Sequence, residues 1–186
     1  MPARATWIQF FTAETLAEHQ TNRRLLIKEF AEPPGDIIVG GRPVTGSVKT
    51  PGSDLLYKRV YTDGPMYAPI TGYLSQAQGA TLLEGVHRDI FNGQDSRLRT
   101  EFLTTLTGKR PAGGDIITTI DPRAQKAAYR GLTDLGAKGT VVALDPRDGR
   151  VLAMASTPSY HPSAFAGDSL NGWRSSPGST RTRTSR

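Results

Sequence analysis

The 186-residue chain contains no cysteine, which excludes a disulfide frame and any thiolate metal site. Its three histidines, His19, His87 and His161, are too scattered to form a ligand-spaced pair, so no metal or cofactor is expected. No stretch approaches the ~20 apolar residues of a membrane-spanning helix; the N-terminus offers Trp7-Ile8-Gln9-Phe10-Phe11 and nothing longer. The first residues also lack the basic, apolar and small-residue succession of a signal peptide. Residues 171–186 hold Arg174, Arg181, Arg183 and Arg186 but no acid. Without them the net charge of +6 falls to 19 basic residues against 17 acidic. The basic character is therefore a property of the tail, as in a solvated chain end, and no nucleic-acid partner is expected.

The remainder, 37% hydrophobic with 8% aromatics, can build a modest core. Trp7, Phe10, Phe11 and Leu16 recur at helical spacing and predict a helix over 5–20. Arg23–Ala31 and Asp36–Val39 read as strands around the breaker Glu32-Pro33-Pro34-Gly35, a small antiparallel unit. A polar loop over Lys49–Leu55 leads to a strand at Tyr57–Tyr61 and a turn at Asp63-Gly64-Pro65, with Tyr67–Thr71 as a further extended piece. Ala80–Phe91 reads as one helix with Leu82, Leu83, Val86 and Ile90 on its apolar face, stopped by Asn92-Gly93. Leu98–Leu106 is ambiguous, with helix slightly favoured, and Gly108–Gly114 reads as a linker.

Beyond it, Asp115–Ile120 is rich in β-formers. Asp121-Pro122 supplies an N-cap and a first-turn proline for a helix to about Leu135, ended by Gly136. Thr140–Leu144 and Arg150–Ala155 are strands joined by Asp145-Pro146-Arg147-Asp148-Gly149, a strong hairpin signal. Strand, helix and hairpin are the start of a sheet rather than a finished one. From Ser156 onward no periodicity remains.

From about Thr6 to Asp168 the chain resembles the class B penicillin-binding proteins, of the penicillin-binding protein A type. The resemblance rests on Asn22-Arg23-Arg24, on Pro34-Gly35-Asp36-Ile37-Ile38-Val39-Gly40-Gly41 and on Tyr57-Lys58-Arg59. It continues through Gly64-Pro65-Met66-Tyr67-Ala68-Pro69-Ile70-Thr71-Gly72-Tyr73 and Gln78-Gly79-Ala80-Thr81-Leu82-Leu83-Glu84. Leu144-Asp145-Pro146 and Ala155-Ser156-Thr157-Pro158-Ser159-Tyr160 complete it, in the family's order. It implies an α+β chain: an elongated pedestal of the dimerisation type, followed by the truncated first strand, helix and hairpin of a transpeptidase domain. The division expected is 1–21 as a juxtamembrane helix stub, 22–110 as the pedestal, 111–168 as the start of the transpeptidase domain and 169–186 as a disordered tail. The family's enzymes sit on the extracytoplasmic face of the cell membrane, cross-link peptidoglycan stem peptides, are acylated by β-lactams and work with cell-wall synthesis proteins.

That chemistry needs Ser-x-x-Lys at a helix start, where spacing i to i+3 lets the amine take the hydroxyl proton, with Ser-x-Asn and Lys-Thr-Gly completing the site. No Ser-x-x-Lys occurs in the 186 residues. Ser47-Val48-Lys49 has one residue too few, and its two groups are not expected to share a face. Thr107-Gly108-Lys109 has the wrong order, and Ser169-Leu170-Asn171 is a pattern common by chance. Pro177-Gly178-Ser179-Thr180 resembles the nucleophile segment, but Arg181 and Thr182 stand where an aromatic residue and lysine belong. Residues 179–186 can be encoded so that a one-base shift yields alternating Asp and Glu, the acidic run the family places before its nucleophile. A frameshift is therefore the expected origin of the tail, and catalytic, cofactor and metal residues are all expected to be none.

The first functional reading is thus a penicillin-binding D,D-transpeptidase truncated before its nucleophile. The alternative is a non-catalytic pedestal module that binds cell-wall synthesis partners. With its strands meant for a larger sheet, the C-terminal half is expected to aggregate or to be proteolysed.

Overall fold

A computed structural model describes residues 31–50, 56–75, 78–95 and 113–166. The expected helix over 5–20, nearly all of the strand Arg23–Ala31, the segment Leu98–Leu106, most of the linker and the tail lie outside these residues.

The run Ile37-Ile38-Val39 forms strand β1 (Ile37–Val39), and Gly40 and Gly41 turn it back into β2 (Arg42–Pro43). β1 pairs antiparallel with β2 and parallel with β7 (Ile116–Ile117). β1 thus has two partners that the expected antiparallel unit did not include. Between β1 and β7 the chain makes one long excursion. β3 (Thr45–Lys49) pairs antiparallel with β4 (Tyr57–Tyr61), so a strand ends where the polar loop was expected to start. β5 (Leu74–Ser75) and β6 (Gly79–Ala80) form a second small ladder.

Two expectations in this excursion are corrected. Residues 67–71 are not extended but lie in helix α1 (Gly64–Thr71). Pro65 sits in its first turn, where a missing N–H costs nothing, but Pro69 lies inside and cannot donate to the carbonyl of Pro65. Ser159 Oγ donates to that carbonyl instead, at 2.6 Å. The helix ends at Gly72, whose φ of 70° and contact with the Thr81 carbonyl leave no room for a Cβ.

The expected helix Ala80–Phe91 is two helices, α2 (Leu82–Val86) and α3 (Arg88–Phe91), broken at His87. Half of its expected apolar face is turned outward, with Leu82 49% and Val86 77% exposed, while Leu83 packs against the core and Glu84 is buried. The stop at Asn92-Gly93 is as expected, with Gly93 at φ 65°.

The second half follows the local signals closely. Asp121 caps helix α4 (Pro122–Asp134), accepting from the N–H groups of Arg123 at 2.8 Å and Ala124 at 3.0 Å. Gly136 ends it at φ 61°. β8 (Gly139–Leu144) and β9 (Val151–Thr157) form an antiparallel hairpin. A short 3-10 turn, Pro162–Ala164, closes the described chain.

The core gathers Ile37, Val39, Val44, Tyr67, Ile70, Phe91 and Ile120, with Met66, Val151 and Met154 packed against it. It is shared: α1 and α4 both pack on β9. No helix among the described residues is long and apolar enough to cross a membrane.

Candidate functional site

Two buried constructions dominate the molecule. The first grows from Arg59, in the middle of β4. A guanidinium taken out of water must meet carboxylates with good geometry. Arg59 Nε donates to Glu84 Oε1 at 2.7 Å and Nη1 donates to Asp36 Oδ1 at 3.1 Å. The Phe91 ring lies 5.3 Å from the guanidinium carbon. Arg59 and Glu84 side chains are both fully buried. Arg59 Nη2 and Glu84 Oε2 have no hydrogen-bond partner.

Burial holds the Glu84 carboxyl above the ordinary range, opposed by the charge and hydrogen bond of Arg59. Asp36 is likewise raised by burial, again opposed by Arg59. Tyr61, beside Glu84, is pushed up by burial and by that carboxylate.

The cluster reaches the place where the chain enters and leaves the excursion. Thr45 Oγ1 donates to Asp36 Oδ1 at 3.3 Å and accepts from the Ile37 N–H at 2.8 Å. The Asp36 N–H donates to Asp115 Oδ1 at 2.7 Å. Gly35 N–H donates to the Phe91 carbonyl, and Gly114 N–H to that of Ile90. Gly113 approaches Phe91 and Gly35 so closely that a Cβ would overlap their backbone. Arg59 therefore holds Asp36 at the start of β1, and Asp36 in turn bonds Asp115 ahead of β7.

The second construction joins the pedestal to the second half. Gln125, on α4, is fully buried. Its Nε2 donates to the carbonyls of Met66 (2.7 Å) and Met154 (2.8 Å), and its Oε1 accepts from the Met154 N–H at 2.8 Å. The amide is thus bonded to α1 and to the edge of β9 away from β8 at once. Ser159 adds its bond to α1, and Tyr73 stacks on Phe165 at 4.9 Å, with Tyr160 edge-on to Phe165 at 5.7 Å. This joint is structural in its chemistry: amides, a hydroxyl and aromatic rings.

The sequence candidates for catalysis do not converge. Ser47 and Lys49 lie two apart on β3 and so share a strand face, against expectation. Yet Ser47 Oγ has no hydrogen-bond partner and Lys49 Nζ lies over the Tyr57 ring at 5.9 Å. No nucleophile–base pair results. Thr107–Lys109, Ser169–Asn171 and Pro177–Thr182 lie outside the described residues, as does His19. His87 sits at the break between α2 and α3, and His161 precedes the 3-10 turn. Among the described residues no group of three or more His, Asp or Glu could hold a metal ion. An open groove of about 550 Å³ runs between α2, β7 and β9. Its lining, including Leu83, Ile117, Val151 and Met154, holds one titratable side chain, His87, and no carboxylate or lysine beside it, so it offers no acid–base pair.

The buried role of Glu84 was missed in the sequence because the neighbouring leucines suggested the wrong face. Gln125 was missed because a lone glutamine on an amphipathic helix carries no signal of burial.

Two family profiles match this architecture. Residues 34–116 match the Penicillin binding protein A dimerisation domain. Residues 139–181 match the Penicillin binding protein transpeptidase domain. The Peptidoglycan D,D-transpeptidase PbpA of Mycolicibacterium smegmatis is 40% identical over 168 residues, covering 88% of this chain and 34% of that protein. The structure of penicillin-binding protein A from M. tuberculosis, an imipenem acyl-enzyme complex, superposes with a TM-score of 0.73 at 37% identity. That superposition covers 80% of this chain and 35% of the other. The D,D-transpeptidase domain of a peptidoglycan glycosyltransferase from Eggerthella lenta superposes with a TM-score of 0.56 at 31% identity, covering 73% and 28%. The chain therefore spans about a third of the length of these relatives. With the dimerisation profile ahead of the Gln125 joint and the transpeptidase profile behind it, in one shared fold, the chain belongs to the class B penicillin-binding proteins, of the penicillin-binding protein A type.

Proposed function

We propose that this chain supplies the pedestal and the first layer of the transpeptidase domain of a serine D,D-transpeptidase that cross-links peptidoglycan stem peptides. The observation that carries the reading is the joint. Gln125 and Ser159 hold α4, β9 and the pedestal helix α1 in one body, over the region that superposes on penicillin-binding protein A. A transpeptidase must hold its substrate strand and its nucleophile in fixed geometry, and a rigid pedestal is how such a domain is held.

Within the 186 residues no Ser-x-x-Lys is present to be acylated. The chain by itself is therefore expected to take no covalent label from a fluorescent penicillin. The whole enzyme's substrates would be the stem peptides, and β-lactams would act as their acylating mimics. The domain division proposed is the pedestal to residue 110 and the transpeptidase portion from 111 onward.

The test is a chimera. Residues 31–166 replace the corresponding segment of M. smegmatis PbpA, and the product is exposed to a fluorescent penicillin. A covalent band on the chimera, with none on the 186-residue chain, is the expected result. A folded chimera that takes no label, or a labelled 186-residue chain, overturns the reading.

A further inference from the structure

The groove between α2, β7 and β9 is large, apolar and open. Leu83, Ile120, Val151 and Met154 line it, and Leu82 and Ile117 stand at its exposed side, 49% and 80% accessible. Sites of roughly 300–1,000 Å³ take ligands with several rings, and this one measures about 550 Å³. Contiguous exposed apolar surface of this kind marks a place where something binds.

The backbone points the same way. Leu82 has a φ of 51°, in the left-handed region that bulky side chains rarely adopt. Such strain persists only where the surrounding structure enforces it, and it gathers at ligand clamps and other sites of function. Here it holds a half-exposed leucine at the groove, and nothing among the described residues covers that side chain.

The N-terminal part of the chain joins the fold at this groove. The described residues begin at 31. Gly35 lies so close to Gly114 that a Cβ would overlap the Gly114 carbonyl, and its N–H is bonded to the Phe91 carbonyl at 3.0 Å. Gly114 stands two positions before β7, whose isoleucines line the groove. The spacing of Trp7, Phe10, Phe11 and Leu16 predicts an amphipathic helix over 5–20. Residues 21–30 separate it from the described fold; ten residues span up to ~33 Å, enough to lay that helix along the groove. A short tether also gives a local concentration of about millimolar, which fills a site too weak for a separate peptide.

We infer that the groove is the docking site of this chain's own residues 5–20, with the Trp7, Phe10 and Phe11 rings seated on its aliphatic walls and on the Met154 thioether. Thioether–aromatic contact is favourable. Neither the ring-bearing face nor the groove lining brings a carboxylate or a lysine, so docking desolvates no such charge.

The chain carries its own reporter. It has two tryptophans, and Trp173→Phe leaves Trp7 alone. In that chain Trp7 is expected to show blue-shifted emission and weak quenching by acrylamide. Ile117→Glu, at an exposed position, should shift the emission to the red and raise the quenching constant severalfold, with cooperative urea unfolding retained. Leu82→Gly removes an apolar side chain while relieving the positive φ, so it should expose Trp7 without loss of cooperativity and serves if Ile117→Glu fails to fold. A solvent-exposed Trp7 in the parent chain overturns the inference, as does a Trp7 equally buried in both variants. So does burial that is lost on dilution, which would make the segment of a second copy the occupant. None of these outcomes bears on labelling of the chimera, which tests the transpeptidase reading separately.

Discussion

Arg59 concentrates more of the fold's electrostatics than any other described side chain. It is buried between Glu84 and Asp36, and among the described residues neither carboxylate has a second cation in the hydrogen-bond network around it. Removing one partner of a buried ion pair leaves an uncompensated charge, so Arg59→Met is expected to cost about 3–5 kcal/mol, read from the urea midpoint and slope. A cost below about 1 kcal/mol would mean that water reaches the site. Glu84 adds a pH dependence whose sign can be worked out. Burial raises its folded-state pKa. Its contribution is therefore fully present below the unfolded-state range near ~4.3 and is lost as pH rises through the folded value. Glu84→Gln keeps the shape but removes the titration. The stability of Glu84→Gln relative to the parent should therefore rise as pH climbs above about 4. A relative fall across that window would show that the Arg59 attraction outweighs desolvation.

At the scale of elements, α1 is the instructive case. Its sequence, with Pro65, Pro69, Ile70 and Thr71, argues for extended chain, and it is a helix because residues far away satisfy it. Ser159, 94 positions on, bonds the carbonyl that Pro69 leaves free, and Gln125, 59 positions on, bonds the next one. Gln125→Leu removes three hydrogen bonds at once and takes the side-chain partner from part-buried backbone groups of Met66 and Met154. It should destabilise by at least about 2 kcal/mol, and Ser159→Ala by about 1 kcal/mol, in thermal or urea unfolding. If Gln125→Leu is neutral, the joint does not hold the two halves together. The contrast with α4 and the hairpin explains what was legible. Asp121 caps its own helix and Asp145 bonds its own turn through Arg147, so both signals are local and both elements form where the sequence places them. Glu84 faces inward because of Arg59, 25 positions away, and no helical period records that. The lack of Ser-x-x-Lys is a property of neighbouring letters and is plain in the sequence, whereas the Gln125 joint is a property of the folded chain.

For the molecule as a whole, the second half is not equally attached everywhere. The C-terminal half was expected to be a liability throughout, since its strands belong to a larger sheet. α4 and β9 are nevertheless tied to the pedestal by Gln125, Ser159, Thr119 and the stacked pair Tyr73 and Phe165. β8 pairs with β9 and packs on α4 but makes no side-chain bond to the pedestal among the described residues, with the Thr157 hydroxyl bonded to the Ala137 carbonyl. Local opening follows local attachment, so within residues 113–166 the hairpin should open first. Brief trypsin treatment followed by mass spectrometry should then give first cuts at Lys138, Arg147 or Arg150, ahead of Arg123, Lys126 and Arg130 on α4. The Asp145 bonds to Arg147 and the Asp148 pair with Arg150 slow cleavage at those two sites without protecting Lys138. Gln125→Leu should abolish the difference by freeing α4 and β9 as well. First cuts on α4 in the parent chain, or resistance across the hairpin equal to that of the pedestal, would place the weak point elsewhere. The ordered result would make the tied pedestal, α4 and β9 one cooperative unit, with β8 the least firmly attached strand.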